Sequence, residues 1–187
     1  MKVISKIQYN APVTLNFTIL ALIALGLGYL TKGESTKLVF VNYRTSPLDP
    51  MQYLRMFTHV LGHADWAHFA GNFTMILLLG PIIEEKYGSK ILIQMMIITA
   101  FITGLINVLF FNVGLLGASG IVFMMIILSS YANVKSGKIP LTLLLVVAVF
   151  LGKEVTEGLF AKDNIAHFAH IIGGLCGGVF GYLRTRR

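Results

Sequence analysis

The sequence predicts an all-α membrane protein, a bundle of six transmembrane helices forming one domain over residues 1–187. Three observations predict it. Of the 187 residues, 56% are hydrophobic and only 12% charged, with a mean hydropathy of +0.77; a soluble domain carries about 25% charged residues. The apolar residues gather into six stretches, near 13–30, 66–83, 91–111, 115–133, 139–158 and 165–183. Most approach the ~20 apolar residues that cross a hydrocarbon core. Finally, the basic residues are unevenly divided between the ends of these stretches. Backbone groups inside lipid must be paired internally, which makes each stretch a helix.

The first span follows Lys2 and Lys6, as a signal peptide would. Its apolar run is long and has no clear small-x-small cleavage site, so a retained helix is expected. The loop at 31–64 is the one sizeable extramembrane piece. Pro47, Pro50, Trp66 and neighbouring aromatics predict that it is structured and dips into the interface, where aromatic rings prefer to sit. The second span carries His68 and Asn72, and the fourth opens on Gly117-Ala118-Ser119-Gly120. The fifth is the weakest: its apolar part ends near Gly152, and Lys153, Glu154 and Glu157 follow. The sixth holds His170 beside a stripe of small residues, Ala169, Gly173, Gly177 and Gly181, spaced for close helix approach.

Charge sets the orientation. With six spans, both termini share a side with loops 84–90 and 134–138. That side holds nine basic residues (Lys2, Lys6, Lys86, Lys90, Lys135, Lys138, Arg184, Arg186, Arg187) against Glu84 and Glu85. The opposite side carries six basic and six acidic residues. The positive-inside tendency puts both termini in the cytoplasm. The formal charge of +7 is therefore a topology signal. Scattered at span ends, it excludes a nucleic-acid surface. The single cysteine, Cys176, excludes an intrachain disulfide, and no metal or cofactor site is expected. Without an organelle-targeting segment or a large soluble domain, the predicted setting is a bacterial plasma (inner) membrane, with the bilayer itself as partner.

In this orientation His68, Asn72, Ser119 and His170 all lie toward the outer leaflet. His170, about five residues into its span, sits on the order of 8 Å deep. Polar groups in membrane spans are costly and face a partner or a cavity. A lone serine or a small-residue stripe is ordinary helix packing; the combination at one depth points to chemistry. Ser119 is a nucleophile in need of a base, and His170 can take its proton and return it to a leaving amine. Asn72, His68 and the Ser119 backbone N–H can stabilise an oxyanion. Gly117 and Gly120 let backbone approach Ser119 closely. The glycine stripe should bring His170 to the fourth span, where Phe123, one turn after Ser119, is a candidate ring to stack on it. Asp163 reads as a loop or cap residue, leaving a two-residue Ser–His machine.

These residues resemble the rhomboid family of intramembrane serine proteases over nearly the whole chain. The family's His-x-x-x-Asn is similar to His68 and Asn72, its Gly-x-Ser-Gly to Gly117–Gly120, and its Ala-His-x-x-Gly-x-x-x-Gly to Ala169-His170 with Gly173 and Gly177. Phe57-Thr58-His59 and His63 resemble the family's approach to the second span, which implies hydrogen bonding in the first loop. Glu84 with Gly88-Ser89 resembles a corner at which the carboxylate braces helix ends. Two positions depart from the pattern: Leu54 precedes Arg55 where the family has tryptophan, and Phe123 stands where a tyrosine is frequent. His167 lacks the following glycines and reads as an interfacial residue. Asn72-Phe73-Thr74 matches a glycosylation sequon, but inside a span it is no acceptor.

The resemblance implies an endopeptidase that cuts single-span membrane proteins near their outer end, after small residues. Poor helix formers near the cut would ease local unwinding. The end of the fifth span and loop 153–164 are candidates for the substrate gate. Two rivals remain: an inactive rhomboid-like protein that binds clients without cutting, and a transporter or metal-binding protein using His59, His63 and His68. The latter lacks a carboxylate or cysteine cluster to complete a metal site.

Overall fold

A computed structural model describes residues 8–111, 113–131, 139, 141–149 and 165–185. Among them the elements are helices: α1 (Pro12–Leu30), α2 (Pro50–Thr58), α3 (Trp66–Tyr87), α4 (Ser89–Phe110), α5 (Ser119–Ser129), α6 (141–149) and α7 (Ile165–Thr185), with a π-helical turn at Thr36–Phe40. Of these, α1, α3 and α4 are each long and apolar enough to cross a membrane. Large apolar side chains such as Leu22, Ile23, Leu78, Ile82, Ile93 and Ile97 point outward from them. Water would penalise such contiguous exposed surface; lipid does not. The protein is an all-helical, polytopic membrane protein.

At the centre runs α5. Apolar on every side, it buries Ile121, Val122, Met124, Met125, Ile127 and Leu128, as a helix enclosed by others should. Ile76 and Ile83 of α3 and Leu92 of α4 complete this core. Close approach elsewhere follows from small residues: a methyl group on Gly80 of α3 would lie 2.6 Å from the Thr14 side chain of α1.

A single carboxylate knots three helices. Glu84, near the end of α3, accepts hydrogen bonds from Val13 N (2.9 Å), Thr14 N (3.0 Å) and Thr14 Oγ1 (2.9 Å) at the start of α1. It also accepts from Ser89 Oγ (2.7 Å) at the start of α4. The first N–H groups of a helix have no partner within it, and Glu84 supplies one for α1. Gly88, at φ +83°, makes the sharp break between α3 and α4.

The loop between α1 and α3 is folded. Asp49 caps α2 by accepting from Met51 N (2.9 Å) and pairs with Arg55 at 2.9 Å. The Arg55 guanidinium is buried and lies over the Tyr43 ring. Thr45 donates to Asp49, the main reason its carboxyl is held below the usual range. Further along, α2 lies on α4 at Gly104, where a methyl group would meet the Met56 carbonyl oxygen at 2.6 Å. Asn42 pairs with Leu115 in an isolated antiparallel bridge, and the Asn107 amide donates to Asn42 O and Val113 O, both at 3.0 Å.

This bridge corrects one expected boundary. The apolar stretch predicts a helix over 115–133, yet α5 begins at Ser119. The backbone at 115–117 is engaged elsewhere: Leu115 with Asn42, and Gly117 N with His59 O at 2.9 Å. The Leu115 carbonyl is thereby taken by Asn42 N, and Gly117 at φ +116° stands outside helical backbone, so α5 does not extend back past it. Residues 150–164, including Asp163 and the expected gate loop, lie outside the described residues.

Candidate active site

Ser119 is the first residue of α5 and is half-buried. The backbone N–H groups of this first turn lack intrahelical acceptors and carry the positive end of the helix dipole. Two residues earlier, Gly117 adopts φ +116°, a conformation closed to residues with a Cβ. Space forbids a side chain there as well. A methyl group on Gly117 would lie 2.6 Å from His68 Nε2 and 3.6 Å from Asn72 Nδ2. The glycine thus brings the backbone leading into Ser119 directly against the two α3 side chains.

His68 and Asn72 are one turn apart on α3 and so share a face. The helix is fixed at this end by Asp65, which accepts from His68 N at 2.8 Å. Asn72 is buried, and its Nδ2 lies 3.1 Å from His63 Nε2. His63 comes from the loop preceding α3. Its ring sits edge-on to those of His68 (4.9 Å), Phe69 and Phe73 (both 5.5 Å between centroids). Burial, then the proximity of His68, pushes the His63 imidazole down to about 4. It is neutral at physiological pH.

On the other flank α7 lies against α5 at backbone distance. A methyl group on Gly173 would collide with the Gly120 carbonyl oxygen, and one on Gly177 with that of Met124. Gly120 in turn faces the Ala169 carbonyl oxygen at 3.3 Å from its own Cβ position. Ala169, Gly173 and Gly177 therefore form the seam between the helices, and Gly181 continues it against the Tyr131 ring beyond the end of α5. His170, next to Ala169, stacks on Phe123 with ring centroids 4.2 Å apart and 34° between planes. Phe123 is one turn beyond Ser119, so the imidazole lies over the first turns of α5. His167 meets His170 edge-on at 6.3 Å.

The structure thus gathers Gly117, His68 and Asn72 on one side of the α5 N-terminus, and Phe123, His170 and Gly173 on the other. His63 was assigned by sequence only to hydrogen bonding within the loop; here it touches Asn72. His59, four residues earlier, is buried against α4 with Nε2 3.1 Å from Ala100 O. The spacing of His59 and His63 ahead of His68 was the available signal, but nothing local shows that the loop folds back onto the helix. Among the described residues, no three His, Cys, Asp or Glu side chains are placed to share a metal ion.

Residues 50–187 match the family profile described as the Rhomboid domain. The chain is similar to proteins named Rhomboid protease GlpG. It is 25% identical over 163 residues to that of Salmonella newport (strain SL254), covering 83% of this chain and 58% of the relative. The same figures hold for Salmonella typhi. For Salmonella choleraesuis (strain SC-B67) the identity is 25% over 181 residues, covering 91% and 64%. The chain therefore spans about three-fifths of the length of these relatives. With a family profile covering α2 through α7, the chain belongs to the rhomboid family.

Proposed function

We propose that this protein is an intramembrane serine endopeptidase that cuts single-span membrane proteins near the outer leaflet. The observation that carries the proposal is the glycine seam of α5 and α7, which lays His170 over Phe123, one turn from Ser119. Names of the relatives support the reaction class. To the contacts described above the proposal adds one, a hydrogen bond from Ser119 Oγ to the His170 ring; such bonds tighten when substrate arrives.

In this mechanism His170 takes the Ser119 proton as Oγ attacks the scissile carbonyl carbon. The oxyanion receives hydrogen bonds from the Ser119 backbone N–H, the Asn72 amide and His68. The C–N bond breaks as His170 returns the proton to the leaving amine, giving an acyl-enzyme on Ser119. Water, deprotonated by the same imidazole, then attacks the ester and regenerates the serine. Phe123 and the packing around α7 hold the ring in place of a third triad member. A transmembrane substrate unwinds locally to offer its carbonyl, so Gly or Pro near the cut favours cleavage.

The proposal includes a single domain of six spans in a bacterial plasma membrane, with both termini cytoplasmic. It places the substrate gate at the end of the fifth span and loop 153–164, so a cross-link between α3 and the fifth span should block cleavage of transmembrane substrates. The decisive measurement incubates purified protein with a panel of labelled transmembrane segments. Wild type should cleave a subset. Ser119→Ala and His170→Ala should lose on the order of a thousandfold or more while remaining folded, and Asn72→Ala about ten- to a thousandfold. A fluorophosphonate probe should label Ser119. Near-full activity of Ser119→Ala, or binding of segments without cutting, refutes the proposal.

A further inference from the structure

We propose that His63 is a positioning residue: it fixes which way the Asn72 carboxamide points, and so makes Asn72 a donor toward the carbonyl at Ser119. The inference rests on the proteolytic reading above. The His63 ring is buried, and its Nδ1 lies 3.2 Å from the Leu61 carbonyl oxygen. A carbonyl oxygen can only accept, so Nδ1 carries the hydrogen. In a neutral imidazole Nε2 then holds a lone pair. That lone pair faces Asn72 at 3.1 Å, and only the amide nitrogen can satisfy it.

A carboxamide has nearly the same shape with its nitrogen and oxygen exchanged. Packing alone therefore does not choose between the two orientations; His63 does. One hydrogen of Asn72 Nδ2 is committed to His63, and the other remains available. The nitrogen lies beside Gly117, two residues before Ser119, at 3.6 Å from the position a Cβ would take. The exchanged orientation would put the amide oxygen there and repel a developing oxyanion. His63 itself is clamped edge-on by His68, Phe69 and Phe73, which opposes the ring flip that would put Cδ2 and Cε1 where Nδ1 and Nε2 stand.

The first test needs no variant in the measured sample. Full-length protein labelled with ¹⁵N-histidine is examined by NMR in detergent, with His63→Gln used to assign the signal. His63 should appear with Nδ1 protonated and Nε2 bare; a protonated Nε2 overturns the proposal. The second test is kinetic. His63→Phe keeps an aromatic ring but removes the acceptor, and should lower kcat about 10- to 100-fold with KM changed less than about twofold. His63→Gln, whose Oε1 can accept at the same place, should recover most of the loss. In an Asn72→Ala background, His63→Phe should cost less than about twofold more, because the group it orients is gone. Independent, multiplying losses overturn the proposal, provided Ser119→Ala is inactive. If wild type cuts nothing and Ser119 stays unlabelled, the proteolytic reading falls instead, and the tautomer measurement alone decides the His63–Asn72 assignment.

Discussion

Gly117 meets two demands that no other residue type satisfies together. Its φ of +116° disfavours any Cβ, and the space a Cβ would fill is taken by the His68 ring. Gly117→Ala should therefore destabilise the fold by on the order of 1–3 kcal/mol and reduce the proposed proteolysis more than the stability loss explains, since His68 must move. Thermal unfolding and cleavage assays on the same preparation would separate the two effects. Gly26 of α1 serves as the control. It has nothing within 4 Å of its Cβ position, so Gly26→Ala should leave activity unchanged and shift stability by no more than about 1 kcal/mol. The motif around Ser119 was legible in the sequence. The reason for its first glycine was not, because that reason is a histidine ring from another helix.

Between elements, the seam of α5 and α7 is the most exacting contact. Gly173→Ala or Gly177→Ala puts a methyl group into a backbone carbonyl, which neither helix can yield without separating. Each should cost about 1–3 kcal/mol by overpacking and pull His170 away from Phe123, with the proposed cleavage falling in parallel. Gly178, adjacent in sequence, meets only Ile127 Cγ2 at 4.0 Å, and Gly178→Ala should be nearly silent. Thermal stability and turnover of the three variants would show whether the seam, and not glycine content, matters. The four-residue repeat made this seam readable in the sequence, since small residues in a helix announce a close neighbour. The start of α5 was unreadable for the opposite reason: residues 115–117 are as apolar as those that follow. Their non-helical path is imposed by Asn42 and His59, which are distant in the chain.

At the scale of the whole molecule, two buried histidines make stability depend on pH. Burial lowers the imidazoles of His59 and His63 from 6.5 to about 4. Between these values the unfolded chain binds protons that the folded one refuses. Stability from these groups is thus fully present above pH 6.5, falls as the pH drops toward 4, and falls no further below it. The loss should reach on the order of 3 kcal/mol for each histidine. Thermal unfolding in detergent should give a flat Tm above pH 6.5 and a decline below it, with a shallower decline in His59→Gln. The class of protein was plain from composition, because lipid-facing surface requires apolar residues in long runs. The loop was the part composition left undetermined. Its shape depends on the ion pair between buried Arg55 and half-buried Asp49 and on asparagine hydrogen bonds across it, and those leave no periodicity.

That loop has one mechanical consequence. At Gly104 the backbone of Met56 sits so close that not even a methyl group fits between α2 and α4, and Arg44 ties the same loop to the Val108 and Leu109 carbonyls. A joint this tight has no play. On the proteolytic proposal, the aperture for a substrate chain should open elsewhere, with the α2–α4 wall as the stationary jamb.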